Sequence, residues 1–87
     1  MDFGEAIRAA KSGAVIARSG WNGKGMWLKL QIPNENSKMT LPYLYMKTVD
    51  NQLVPWLASQ TDVLSEDWEL CEPPEREQEK EKTHIVR

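Results

Sequence analysis

One seven-residue run limits the fold more than any other part of the chain. From Met26 to Ile32, every second side chain is apolar. Such alternation is typical of a β-strand with one face on a core, because successive strand side chains point to opposite faces. Leu28 and Leu30 fall on the predicted inner face. Trp27 falls on the opposite face, where polar residues are usual.

The N-terminus predicts a short amphipathic helix over residues 3–12. Asp2 is suited to the N-cap and Glu5 to the reciprocal position of a capping box, while Gly13 supplies the C-terminal stop. Apolar residues follow at helical spacing at Phe3, Ala6, Ile7 and Ala10. This helix needs a sheet to cover its apolar face.

Three further segments have the composition of strands: Ala14 to Arg18, Tyr43 to Thr48 with a turn into Leu53 and Val54, and Asp67 to Cys71. In the last of these, Trp68 and Leu70 are predicted to point inward. Ser59, with Asp62 three residues later, predicts a capped helical turn reaching Leu64. The expected fold is α+β: an N-terminal helix packed on a bent antiparallel β-sheet, with a short helical turn before a closing strand.

The 87 residues are enough for one small domain, which we place at residues 1–72. Residues 73–87 hold four acids and four cations, and Glu75 to Lys82 contains no apolar residue. We expect this charged C-terminal tail to be disordered. A domain of this size buries a modest share of its surface, so self-association is a natural source of extra stability.

Composition argues against several function classes. The net charge is −2 without a basic stripe, so binding of a nucleic-acid polymer is not expected. No apolar stretch approaches the roughly 20 residues of a membrane span, and no secretion signal is evident, so a cytoplasmic location is expected. The only histidine, His84, lies in the tail, and the only cysteine, Cys71, has no partner spacing for a metal. We expect no catalytic residue, no metal and no cofactor.

The segment from Arg18 to Trp27 is the strongest functional signal. It packs three glycines, two tryptophans and two cations into ten residues. Glycines allow close backbone approach and indoles give flat surfaces, which suits a planar, phosphate-bearing small molecule. Trp21 is costly to expose unless it packs on a ligand, a partner subunit or the domain's own edge. Arg18 and Lys24 are candidates for phosphate pairing, although solubility alone explains surface cations.

Other candidates have ordinary structural explanations beside the functional one. Trp27 is a candidate ligand contact, or it packs on Tyr43 or Tyr45 across neighbouring strands. Trp56 and Trp68 are more typical of a core. Three consecutive residues either cap a helix or bind ribose hydroxyls or a base edge; they are Gln60, Thr61 and Asp62.

Several of these strings resemble a small phage and prophage family that includes the second class of Thoeris anti-defence proteins. They are Asp2 to Ala6, Ala17 to Met26 with its Gly-Trp-Asn-Gly-Lys-Gly core, Met46 to Thr48, Val54 to Asp62 with Pro-Trp-x-x-Ser-Gln-Thr-Asp, and Asp67-Trp68. The resemblance covers about residues 2–70 and not the tail. Family members often have a longer connection where this chain has Pro33 to Thr40, which bears on ligand choice.

The resemblance implies a sponge that binds a glycocyclic ADP-ribose signal, or a cyclic oligonucleotide, without cleaving it. It also implies a homotetramer with ligand sites where subunits meet. Trp21 and Asn22 would contact the base or ribose, with Thr61 and Asp62 near the same ligand. The full predicted ligand set is Arg18, Trp21, Asn22, Gly23, Lys24, Trp27, Gln60, Thr61 and Asp62. Trp21→Ala is expected to abolish binding with the fold intact.

Two alternatives remain at this point. The chain could be a protein–protein interaction module that inhibits a host factor through exposed tryptophans, or a nucleotide hydrolase acting through Asp62 with Lys24 or Arg18. Ligand capture by two protomers suits the sequence best, because a core of about 70 residues has little room for a cavity covering a cyclic nucleotide.

Overall fold

The computed structural model describes residues 1–21 and 24–71. Its elements are, in chain order, α1 (Phe3–Lys11), β1 (Val15–Arg18), β2 (Trp27–Gln31), β3 (Tyr43–Lys47), β4 (Leu53–Pro55), α2 (Gln60–Leu64) and β5 (Trp68–Cys71). The predicted α+β fold is confirmed, including the short helix before the closing strand. The predicted contacts of Asn22 and Gly23 and the predicted disorder of the tail lie outside the described residues.

Helix α1 begins as its sequence predicts. The Asp2 carboxylate accepts a hydrogen bond from the Glu5 backbone at 2.8 Å, and the Glu5 carboxylate accepts one from the Asp2 backbone at 2.9 Å. These bonds satisfy N–H groups that have no partner within the helix. The helix ends at Lys11, one residue before the predicted end, and Gly13 follows with φ +104°, a conformation that suits glycine.

The five strands form one sheet in the order β4-β3-β2-β1-β5, with every pair antiparallel. Strand β2 is therefore central, and β1 lies between β2 and β5. A turn joins β3 to β4, where Asn51 adopts φ 67° and donates its backbone N–H to Thr48. Asparagine tolerates this left-handed conformation better than most residues.

Strand register separates the two faces of the sheet. On the inner face Leu28 pairs with both Ile16 and Met46, and α1 covers this face with Ala6 and Ala10. The opposite side of β2, β3 and β4, here called the outer face, carries no described helix. Its residues are Trp27, Lys29, Gln31, Tyr43, Tyr45, Lys47, Leu53 and Pro55.

The prediction that Leu70 points inward needs correction. Trp68 is 2% exposed and belongs to the core, but Leu70 is 61% exposed. Leu70 lies on β5, which among the described strands pairs with β1 alone, so one side of its side chain meets solvent. Ile32 is also exposed, because β2 ends one residue earlier at Gln31. Among the described residues, no helix is long and apolar enough to cross a membrane.

Candidate functional site

Arg18 and Trp21, on either side of the start of the glycine-rich turn, lie against the start of α2, so the two segments singled out in the sequence meet in space. Arg18, at the end of β1, donates from Nη1 to Asp62 Oδ1 at 2.8 Å. The Trp21 side chain also lies close enough to the Asp62 carboxylate to help lower its pKa. Arg18 and Asp62 are 44 positions apart in the sequence, yet their side chains are in direct contact.

Arg18 is held by two carboxylates. Besides its bond to Asp62, it donates from Nε to Asp67 Oδ1 at 2.9 Å. Hydrogen bonds to Asp67 and then to Asp62 raise the pKa of Arg18 above its ordinary value. The Arg18 bond is also the main reason why the pKa of Asp67 lies below its usual range, with a further contribution from the Gly20 backbone. We call Arg18, Asp62 and Asp67 the carboxylate clamp.

Asp62 is the buried member of the carboxylate clamp, at 8% exposed. Burial by itself raises the pKa of a carboxyl, but hydrogen bonds from Ser59, Arg18 and Trp21 outweigh burial here and lower the pKa of Asp62. Ser59 donates from its backbone at 3.0 Å and from its hydroxyl at 2.9 Å to Asp62 Oδ2. In return the Asp62 backbone donates to the Ser59 hydroxyl, which completes the predicted capping box of α2.

An aromatic cluster lies next to the carboxylate clamp. The ring of Trp21 meets Trp68 at a centroid distance of 5.6 Å and Trp56 at 6.4 Å, in edge-to-face arrangements. Phe3 of α1 contacts the ring of Trp68 as well. The Trp68 indole N–H donates to the Asp62 carbonyl at 3.0 Å, so the cluster and the clamp are bonded together.

The position of Trp21 changes one expectation. Its ring is half-buried and packs against the core of its own chain, which is the third of the three surfaces considered for it. Truncation to alanine would therefore remove core contacts together with any ligand contact. Trp21→Ala is not expected to leave the fold intact, and binding tests need exposed neighbours instead.

The other described residues of the predicted ligand set differ in exposure and in pairing. Gln60 and Thr61, which precede Asp62 in α2, are exposed, and so is Lys24 in the turn. Arg18 and Asp62 are bonded to each other, which favours a structural role over the predicted phosphate and ribose contacts. Their ligand roles, like those of the exposed residues, stay predictions.

Trp27 lies apart from this group, on the outer face. Its ring meets Tyr45 at 6.1 Å, the cross-strand packing considered as its structural explanation. A hollow of about 180 Å³ opens on the same face, lined by Gln31, Tyr43, Tyr45, Leu53, Val54 and Pro55. Burial, and then the nearby Tyr43, raise the pKa of Tyr45, so its hydroxyl stays protonated at neutral pH. Trp27 does not share a surface with Trp21.

Sequence reasoning missed Asp67. Its carboxylate bonds to both Arg18 and the Gly20 backbone, yet it is 49 residues from Arg18 along the chain. The available signal was an acid placed one residue before the closing strand. A contact between this acid and Arg18 can be inferred only once β5 is known to pair with β1, because that pairing places Arg18 opposite Trp68.

The described residues offer little for metal or thiol chemistry. No group of three or more histidine, cysteine, aspartate or glutamate side chains among them could hold a metal ion. Burial, followed by the charge of Glu69, raises the pKa of Cys71, which keeps its thiol protonated and weakly nucleophilic at neutral pH. The acids near the turn are already bonded to Arg18.

The fold and the paired segments define a small α+β domain with a tryptophan-bearing glycine turn set against a capped helix. Residues 1–71 match the Thoeris anti-defense 2-like domain family, and the chain belongs to that family. It is also similar to a protein of Bacillus phage SP01 named Thoeris anti-defense 2, with 39% identity over 83 residues, covering 80% of this chain and 93% of the relative. Family membership supports an anti-defence role.

Proposed function

We propose that this protein acts as an anti-defence sponge: it binds a cyclic nucleotide immune signal of the glycocyclic ADP-ribose type, or a cyclic oligonucleotide, and sequesters it without cleaving it. Family membership supports the anti-defence part of the proposal. The observation that carries the binding part is the junction of the turn with α2 through Asp62. Gln60 and Thr61 are exposed at the start of α2 next to Asp62, and the half-buried Trp21 ring lies at the same junction, which supports the proposal.

Each exposed group has a chemical part in the proposed complex. Lys24, an exposed residue of the turn, provides a positive charge for the pyrophosphate or phosphodiester, whereas Arg18 is already matched by carboxylates. Gln60 and Thr61 both donate and accept hydrogen bonds, which suits ribose hydroxyls and a base edge. The exposed part of Trp21 gives the base a surface for stacking.

A second copy of the chain would complete the site. The hollow lined by Tyr43 and Tyr45 lies on the outer face rather than beside Trp21. Tight capture of a small ligand requires most of its surface to be covered. We therefore propose a homo-oligomer, a tetramer by the family resemblance, in which a partner subunit supplies the remaining walls, and we place its action in the host cytoplasm.

The proposed mechanism needs no bond making or breaking in the ligand. Hydrogen bonds from Ser59, Arg18 and Trp21 lower the pKa of Asp62 against the effect of burial, and the bond from Arg18 lowers the pKa of Asp67, so both acids are poor general acids at neutral pH. The role of the site is to desolvate and hold the ligand, and inhibition follows from the fall in free signal concentration. Stoichiometric rather than catalytic inhibition is the expected signature.

Native mass spectrometry of the protein mixed with glycocyclic ADP-ribose and a panel of cyclic dinucleotides tests the proposal. We expect an oligomer that carries ligand of unchanged mass, and intact ligand in the supernatant after heat denaturation. Recovery of a cleaved product would indicate a hydrolase. Absence of any bound nucleotide would contradict the sponge proposal.

Site variants locate the binding surface. Lys24→Ala should weaken binding by about 1.5–3 kcal/mol, the usual contribution of a hydrogen bond to a charged group, measured by calorimetry. Lys38→Ala is the matched control, because Lys38 is an exposed lysine in the loop after β2. Thr61→Ala can be compared in the same way with Thr40→Ala, another exposed threonine.

The outer face supports the alternative function. Leu53 is 64% exposed, and Tyr43 is also exposed, on a face where no described helix packs. Such a surface suits a protein partner. A host-protein inhibitor would fail to bind nucleotides, and Tyr43→Ala, rather than Lys24→Ala, would abolish its inhibition.

A further inference from the structure

Asp67 bonds to three successive residues at the entrance of the glycine-rich turn. Its Oδ1 accepts from Arg18 Nε at 2.9 Å, its Oδ2 accepts from the Gly20 backbone at 2.8 Å, and its carbonyl accepts from the Ser19 backbone at 3.0 Å. We propose that Asp67 is a positioning residue that fixes this turn for ligand capture without touching the ligand. The capture step rests on the proposed function.

The contact with Asp67 also explains why position 20 is a glycine. A Cβ built on Gly20 would lie 2.6 Å from Asp67 Oδ2, closer than two such atoms approach. The φ of Gly20 is not in the left-handed region, so the requirement for glycine comes from space and not from backbone conformation. Alanine at position 20 must push the Asp67 carboxylate away from the backbone amide that it accepts from.

Fixing the entrance also fixes Trp21. The Trp21 backbone N–H donates to the Arg18 carbonyl at 3.2 Å, which closes the turn directly after the residues that Asp67 holds. The Trp21 ring packs on Trp68, the residue that follows Asp67 in β5. Residues 67 and 68 thus hold the backbone and the first indole of the turn together.

The benefit of this arrangement is preorganisation. A glycine-rich segment loses more backbone entropy on ordering than other sequences do. If folding already orders the first residues of the turn, ligand binding does not incur this loss of backbone entropy a second time. Loss of the Asp67 contacts should therefore weaken ligand binding even when the aromatic cluster and the core stay intact.

The first test needs no ligand. Amide hydrogen exchange of Gly20 and Trp21 is measured in the full chain for wild type, Asp67→Ala and Glu66→Ala, with the Ile16 and Leu28 amides as reporters of global opening. Asp67→Ala should accelerate exchange of the turn amides about tenfold or more relative to those core amides. This factor corresponds to the usual contribution of a hydrogen bond to stability. Glu66→Ala, at the exposed neighbouring acid, should not. Equal turn protection in wild type and Asp67→Ala overturns the inference.

The second test measures binding of glycocyclic ADP-ribose and cyclic diguanylate by calorimetry. Gly20→Ala retains the Asp67 side chain but displaces it, so it serves as an independent variant if Asp67→Ala folds poorly. Both variants should lose about tenfold in affinity and Glu66→Ala should lose none. Unchanged affinity in Gly20→Ala and Asp67→Ala overturns the positioning role. If wild type binds neither probe, the proposed function fails, and the exchange experiment still decides whether Asp67 orders the turn.

Discussion

The two faces of this sheet both carry aromatic rings but differ in what holds the rings in place. On the inner face, Trp68 is nearly fully buried under α1 and donates its indole N–H to the Asp62 carbonyl. On the outer face, Trp27 and Tyr45 contact each other where no described helix packs. The comparison teaches that residue type alone does not assign a ring to a core or to a recognition surface. Whether a helix covers that face of the sheet decides which of the two roles the ring has.

The largest difference between the two faces is expected when one ring is removed from each. Trp68→Ala should lower the free energy of unfolding by about 3–5 kcal/mol, because it leaves a cavity under α1. Trp27→Ala should cost about 1 kcal/mol or less, the range of a cross-strand pair. Urea unfolding followed by far-UV circular dichroism measures both.

Trp68→Ala is a severe change in a domain of this size, so Trp68→Phe serves as a milder variant. It keeps an aromatic ring but loses the indole hydrogen bond to Asp62, and it should still cost more than Trp27→Phe. Equal losses at the two positions would mean that both faces are packed alike, which would contradict the description of the outer face.

A smaller effect is expected at the cap of α2. Ser59→Ala removes a side chain that both accepts from and donates to Asp62, and a lost cap costs about 1 kcal/mol. Ser12→Ala is a suitable control, because Ser12 lies after α1 and donates to a carbonyl at the exposed C-terminal end. If Ser59→Ala lowers the free energy of unfolding no more than Ser12→Ala does, the inner face does not depend on the α2 cap.

Acidification tests the carboxylate clamp on the inner side. The folded-state pKa values of Asp62 and Asp67 lie below the ordinary value, so their contribution to stability is complete above about pH 4 and is lost as pH falls through the folded pKa values. Unfolding free energy should stay level from about pH 7 to 5 and fall below about pH 4. Asp67→Asn should flatten that fall.

The smallest change in monomer stability is expected on the outer face. Leu53→Ser should shift the free energy of unfolding by no more than about 0.5 kcal/mol, because Leu53 is largely exposed. If copies of the chain meet through the outer face, the variant will also lower the oligomer mass measured by light scattering. A large loss of stability that does not depend on protein concentration would instead show that Leu53 is packed within the chain.

Local sequence patterns predicted the secondary structure and the two faces well. The capping boxes at Asp2 and Ser59 both form as predicted, since each depends on residues three apart. Alternation in β2 placed Trp27 on the side away from the core, as the register confirms. Patterns of this kind need only the period of a helix or strand.

Contacts between distant segments were not predictable in the same way. Nothing in the order of residues indicates that Asp67 reaches the Gly20 amide, or that Trp21 would pack on Trp68, because both contacts depend on β5 pairing with β1. The distinction between Arg18 as a phosphate ligand and Arg18 as a partner of two carboxylates has the same origin. Charge alone is compatible with both.

The two edges of the sheet bear on how copies of this protein can assemble. Strand β4 is three residues long and ends in Pro55, which has no N–H to offer an incoming strand. At the opposite edge, Met1 already exchanges hydrogen bonds with the backbone of Trp68. Extension of the sheet from one molecule into the next is therefore obstructed at both borders, which protects against fibril growth.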